Sequence, residues 1–231
     1  MDLQTIMELD RHILSFFNGS DSLFLDGLML TLTQGTTWIP LYLSLLYVVV
    51  KNNDTMLQIG IVIGCCALCF FFTEFVNEGL VKPAVARPRP LNDPLYMYAV
   101  DMVNGKRSLD YSFFSAHAAN TFGIALFTSL VMRNRLLTCL MIGWSLLNCY
   151  TRLYLGMHYP TDIVVGLCWG ALVAISVYYA YNVFSLQLAP KQNYVSAQYT
   201  SSGYVSADVD VVAATLTLTV LYAIFKALLF Y

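Results

Sequence analysis

The chain has 231 residues, 58% of them hydrophobic and 11% charged, with a formal net charge of −2. Soluble domains carry about 25% charged residues, so this composition excludes an ordinary soluble enzyme. The slightly acidic balance also offers no nucleic-acid surface.

Charge is placed unevenly. Windows 27–50, 55–73, 111–132, 136–151, 163–190 and 211–225 contain no Asp, Glu, Lys or Arg. A bilayer span needs about 20 mostly apolar residues, because a helix rises about 1.5 Å per residue across about 30 Å of hydrocarbon. The six windows predict an all-α, polytopic membrane protein with about six transmembrane helices. The two short windows, 136–151 and 211–225, are flanked by Arg or Lys that can snorkel to the interface.

In chain order, "LQTIMELDRHILSFFNG" comes first. Its apolar residues fall at helical spacing, with Glu8, Asp10, Arg11 and His12 on a polar face and His12 read as solvated. It predicts an N-terminal helix lying in the membrane interface and ended by Asn18-Gly19. These early charges do not suit a signal peptide, so insertion is expected to rely on an internal span. "SDSLFLDG" caps a second short helix, and Gly35 and Pro40 interrupt the run before the first firm span, near 38–50. "KNND" turns the chain into the second span, and "RNR" joins the third and fourth.

The expected organisation is N-terminal interfacial helices in 1–35, a transmembrane core in 36–186, a polar loop in 187–208 and a C-terminal transmembrane helix in 209–231. The loop contains Tyr-Val-Ser-Ala twice, too little for a repeat architecture. The six cysteines, Cys65, Cys66, Cys69, Cys139, Cys149 and Cys168, all fall within spans and read as small apolar side chains.

Three polar clusters stand out, and alternation of the spans brings all of them to one membrane face. The first, "KPAVARPRP", follows the second span. Arg89 offers a planar fork for phosphate oxygens, and Lys82 a point charge. The second is "FSAHAAN", where Ser115 suits a helix N-cap, Ala116 follows with a free N–H, and His117 lies in the first turn. The third is "YTRLYLGMHYPTD", with Arg152, His158 and Asp162. Pro160 fits the first position of a helix, and Asp162 is spaced to reach one ring nitrogen of His158. Each cluster alone has a plain structural reading: a basic segment against lipid heads, a simple cap, and a carboxylate complementing a helix dipole. Glu74 and Glu78, one turn apart before Lys82, read as partners for nearby cations.

Together the clusters spell Lys-x6-Arg-Pro, Ser-x-His and Arg-x5-His-x3-Asp. This resembles the signature of membrane lipid phosphatases of the phosphatidic acid phosphatase type 2 superfamily, kin to the vanadium haloperoxidases. The resemblance covers roughly 55–185. It implies that His158 attacks phosphorus to form a phosphohistidine, that Asp162 orients it, and that His117 protonates the leaving oxygen and then assists water. It also implies that Lys82, Arg89, Ser115, Ala116 and Arg152 hold the phosphate. Two positions depart from the family pattern: Phe114-Ser115-Ala116-His117 stands where Pro-Ser-Gly-His is usual, and Thr151 where Ser is usual.

Three cations and a helix N-terminus can neutralise a phosphate, so no metal and no cofactor is expected. The partners implied are a lipid phosphate and the bilayer. By similarity to bacterial undecaprenyl pyrophosphate phosphatases, that carrier is the first substrate expected. Phosphatidylglycerophosphate, phosphatidic acid and lipid A phosphates are alternatives, and a non-catalytic lipid-phosphate binder or transporter is the rival of another class. Lys51, Arg133, Arg135 and Lys191 lie in the loops opposite the clusters. The positive-inside rule then predicts a site facing away from the cytoplasm of a bacterial inner membrane.

Overall fold

A computed structural model describes residues 3–105, 107–188 and 198–230. Lys106 and residues 189–197 of the polar loop, with Lys191 and the first Tyr-Val-Ser-Ala copy, lie outside the described residues. Helices dominate: α1 (Leu3–Phe17), α2 (Leu23–Leu32), α3 (Ile39–Lys51), α4 (Met56–Val76), α5 (Lys82–Val85), α6 (Ala116–Met132), α7 (Arg135–Tyr154), α8 (Pro160–Leu188) and α9 (Ser206–Phe230). No strand forms among the described residues, where one isolated bridge pairs Tyr199 with Val205.

The protein is an all-α membrane protein, but its six apolar windows do not become six equal helices. Met56–Asn92, Pro160–Ser185 and Ser206–Leu229 are long and apolar enough to cross a bilayer, whereas Leu23–Leu32, Gly35–Lys51 and Ala116–Met132 are shorter apolar helices. α7 has the length of a span, yet it buries Ser145, Asn148, Thr151 and Arg152 against its neighbours.

The first window breaks after α2, as Gly35 suggested, and a tight turn at Gly35–Trp38 leads into α3. A break in a helix among apolar surroundings leaves carbonyls without partners. Here the Trp38 indole N–H donates to the Leu32 carbonyl (2.8 Å) and the Thr37 hydroxyl to that of Thr31 (2.7 Å). Trp38 is thereby buried, edge-on to Trp144 of α7.

α6 is the central helix, packed against α4, α7 and α8. Its closest approach is to α8, and two glycines permit it. A Cβ on Gly166 would sit 2.7 Å from the Ser115 carbonyl oxygen, and one on Gly170 would sit 2.5 Å from that of Ala119. Small residues four apart let helix backbones approach this closely within a membrane. α9 covers α2 and α3, pinned at the far end from the clusters by Lys51 and Asp208 (2.6 Å).

α1 departs from expectation. Glu8 and His12 are exposed, as their spacing predicts, but Asp10 is 1% exposed and faces the protein. The reason is a half-buried arginine described below.

Candidate active site

Each cluster is placed by a local stop or start signal. α4 runs on through a wide, π-type turn at Asn77–Val81 into α5, which Lys82 and Pro83 open. α5 then ends at Ala86 in the left-handed conformation, releasing Arg87–Arg89 as extended chain. Ser115 is the N-cap of α6, its hydroxyl accepting from the Ala118 N–H at 3.4 Å. α7 stops at Tyr154, and Gly156 supplies the positive φ (+60°) that turns the chain back. A side chain there would also meet Val100 Cγ1 at 2.5 Å. Pro160 opens α8, with His158 just ahead of it and Asp162 in its first turn, as the sequence indicated.

Hydrogen bonds to backbone carbonyls tie the three clusters into one body. The Ser112 N–H donates to the Arg87 carbonyl (2.8 Å), and the Ser115 N–H to the Asp162 carbonyl (3.0 Å). The Arg89 guanidinium donates to the Met157 carbonyl (3.3 Å), one residue from His158. Asn77, fully buried at the end of α4, donates to the Phe114 carbonyl (3.0 Å). Lys82, Arg89, Ser115, Arg152, His158 and Asp162 are all buried.

His158 sits with Nδ1 2.9 Å from the Ser112 carbonyl oxygen. A carbonyl only accepts, so Nδ1 carries the proton and Nε2 presents a lone pair. The direct bond expected from Asp162 is not made: its carboxylate lies 3.7 Å from Nδ1. It accepts instead from the Ser112 hydroxyl, the Tyr159 N–H (3.0 Å) and Arg87 (2.8 Å). Asp162 therefore builds the turn that presents the Ser112 carbonyl, and acts on the imidazole as a nearby negative charge. Burial pushes His158 down from the ordinary histidine range to about 4; Asp162 opposes this, and the positive charge of Arg89 and Arg152 adds to it. The ring is neutral at physiological pH, as an attacking nitrogen must be.

The cations differ in how committed they are. Lys82 pairs with Glu78, one turn back, which makes that carboxylate the plain cation partner its spacing suggests. Glu74 instead accepts from Asn120 (2.7 Å). Arg89 donates to the Asp110 carbonyl (3.1 Å) and lies 3.9 Å from its carboxylate. Arg152 donates from Nη1 to Thr33 (2.7 Å) while its buried Nε has no hydrogen-bond partner. A buried N–H left unpaired is unusual, and suits a group that a ligand completes. His117 is half-buried in the first turn of α6.

Spacing along the chain does not single out Arg87, because its neighbours Lys82 and Arg89 carry the recognisable pattern. It reaches Asp162 (2.8 Å), Thr161 (2.9 Å) and Asp10 (2.7 Å), with its carbon 4.0 Å from the centre of the Tyr159 ring. The only signal in the sequence is an acidic residue in a helix assigned to the interface.

Known proteins resemble this one along most of its length. A family model described as the PAP2 superfamily matches residues 59–185. A relative from Bacteroides thetaiotaomicron, named lipid A 4'-phosphatase, is 38% identical over 170 residues, spanning 73% of this chain and 75% of the relative. Another of the same name, from Porphyromonas gingivalis, is 31% identical over 179 residues, spanning 78% of this chain and 75% of its own. The crystal structure of a transmembrane PAP2 type phosphatidylglycerolphosphate phosphatase from Bacillus subtilis superposes with a TM-score of 0.59, covering 81% of this chain and 90% of that one. At 18% identity this last likeness speaks to the fold alone.

Proposed function

The chain belongs to the PAP2 superfamily of membrane lipid phosphatases, and from that premise we propose that it removes the 4'-phosphate from lipid A through a phosphohistidine on His158. The observation that carries the chemistry is the buried His158, neutral and with Nε2 free of the proton, set among Arg89 and Arg152. The relatives from Bacteroides thetaiotaomicron and Porphyromonas gingivalis carry the choice of substrate. They favour lipid A over the undecaprenyl pyrophosphate first expected from the sequence.

In this reading Lys82, Arg89 and Arg152, with the Ser115 and Ala116 end of α6, hold the phosphate oxygens. Phosphoryl transfer depends mainly on such positioning and charge neutralisation. Nε2 of His158 bonds to phosphorus as the bond from phosphorus to the sugar oxygen breaks. That oxygen takes a proton from His117. Water then gives a proton to His117 and attacks phosphorus, releasing inorganic phosphate and restoring Nε2. Three fixed cations supply the charge that a metal would, so the reaction proceeds without one. The basic residues Lys51, Arg133 and Arg135 at the opposite end support a site facing away from the cytoplasm.

The test is release of phosphate by the purified protein from a panel in matched vesicles: lipid A bearing a 4'-phosphate, lipid A bearing only a 1-phosphate, undecaprenyl pyrophosphate, phosphatidylglycerophosphate and phosphatidic acid. The 4'-phosphorylated lipid A is expected to give the highest kcat/KM, unchanged by excess EDTA. Preference for undecaprenyl pyrophosphate would reinstate the carrier lipid. Loss of activity on chelation, restored by magnesium, would undo the three-cation account.

The pH dependence follows from the depressed His158. Attack needs the neutral ring, and its fraction falls only as pH drops through the pKa. With that value near 4, kcat/KM corrected for the second ionisation of the substrate phosphate, near pH 6, is expected to show no fall from pH 7 down to about 5, a range over which the proton donor His117 can only gain protons. An acid limb at the ordinary histidine value would show that the ring is not desolvated as described.

A further inference from the structure

We propose that Asp10, on the N-terminal helix α1, is a positioning residue of this phosphatase, holding Asp162 and the His158 turn through Arg87. The inference rests on the reading of His158 as nucleophile with Asp162 beside it.

The amphipathic pattern of α1 puts it apart from the core, with Asp10 in solvent. Instead Asp10 grips two elements at once. One carboxylate oxygen accepts from Arg87 (2.7 Å), and the other from the backbone N–H of Thr161 (3.0 Å), the residue before Asp162. The Thr161 hydroxyl also donates to Asp10. Arg87 divides its donors between Asp10 and the pair Thr161 and Asp162. Its plane lies over Tyr159, the residue after His158. A planar fork held on two carboxylates and one ring face has little freedom.

The arrangement has a consequence for catalysis. As Nε2 bonds to phosphorus, the imidazole gains positive charge, and Asp162 is the carboxylate beside it, 3.7 Å from Nδ1. Arg87 facing Asp162 alone would quench that carboxylate. Asp10 shares the guanidinium charge, so Asp162 stays available to the ring while its position remains fixed. The step affected is the chemical one. The phosphate-holding cations are not in this network, so ground-state binding is left alone.

α1 also has an anchor that does not involve Asp10. Arg11 pairs with Asp93 (2.9 Å), which also accepts from the Tyr159 hydroxyl (2.9 Å), and the Tyr96 hydroxyl donates to the Arg11 carbonyl (2.8 Å). Removing the Asp10 charge therefore leaves α1 docked.

The experiment compares purified Asp10→Asn, Asp10→Glu, Arg87→Ala and the double variant Asp10→Asn/Arg87→Ala with the parent, using 4'-phosphorylated lipid A in vesicles. Glu8→Gln, an exposed neighbour on α1, is the control, and thermal melting checks folding. Asp10→Asn is expected to lower kcat about 10- to 100-fold, the range for a small misplacement at a reacting centre. KM should stay within about twofold, because uniform binding is untouched. Asp10→Glu should recover part of the loss, Glu8→Gln should behave as the parent, and the double variant should be no slower than Arg87→Ala, as coupled residues require. Parent-like kcat in Asp10→Asn, a change confined to KM, or independent multiplying losses in the double variant would overturn the inference. His158→Ala is assayed alongside. Were it active, the reading of the nucleophile would fall and this inference with it. Were it dead while Asp10→Asn kept the parent kcat, only the role of Asp10 would fall.

Discussion

Replacing His158 by alanine is expected to bring turnover down by about 10⁴-fold or more, the scale seen when a nucleophile is removed. The Ser112 carbonyl holds this one ring in one tautomer, with the Asp162 carboxylate 3.7 Å from Nδ1. The cations proposed to hold the phosphate come from other elements: Lys82 from α5, Arg89 from the chain after it, and Arg152 from the last turn of α7. Binding of the lipid phosphate should therefore survive, visible as co-sedimentation with substrate vesicles that matches the parent. A phosphoenzyme labile to acid and stable to base should form in the parent and vanish in the variant. His117→Ala is expected to be milder, about 10²–10⁴ in rate, the usual worth of a general acid. Near-normal turnover in His158→Ala would remove the mechanism.

Substituting Gly170 should produce the largest loss of stability. An added Cβ would lie 2.5 Å from the Ala119 carbonyl oxygen and 3.1 Å from the Gly123 nitrogen. Both are backbone atoms of α6, which cannot step aside as the end of a side chain could. The helices must separate, and such overpacking costs about 1–3 kcal/mol, sometimes more. For a chain of this size that corresponds to a fall in Tm of about 2–12 °C, with Gly170→Val worse than Gly170→Ala. Gly166→Ala should resemble it, pressing on the carbonyl of Ser115 and so on the N-terminus of α6. Gly143, in α7, has open space where its Cβ would be. Gly143→Ala should therefore be neutral or stabilising, since glycine is the poorer helix former. Melting curves in one detergent check all three, and equal Tm values for Gly170→Ala and Gly143→Ala would contradict the packing described.

Much of the site is legible in the amino-acid sequence, because its signals are local. Ser115 as an N-cap, Pro160 as the first residue of a helix and the Gly35 break each depend on a few neighbouring residues. All three sit where the pattern puts them. The α6–α8 seam is not legible in this way. Gly166 and Gly170 sit in an apolar window where glycine gives no sign of its neighbour, and only a second helix brought to backbone distance reveals why they are small.

Composition and window length are sufficient to identify a helical membrane protein, and the spacing of three polar clusters carries its resemblance to membrane lipid phosphatases. Each of those signals depends on properties that residues carry in any fold. Which partner each charged group takes is a matter for the assembled fold. Asp162 lies four residues from His158 yet turns to Arg87, 75 residues away, while Asp10 crosses 77 residues to the same guanidinium. Spacing along the chain limits what a carboxylate can reach. When its charge is buried, it is held by the strongest donor that packing brings within hydrogen-bonding distance, and that donor's position is set by the whole fold.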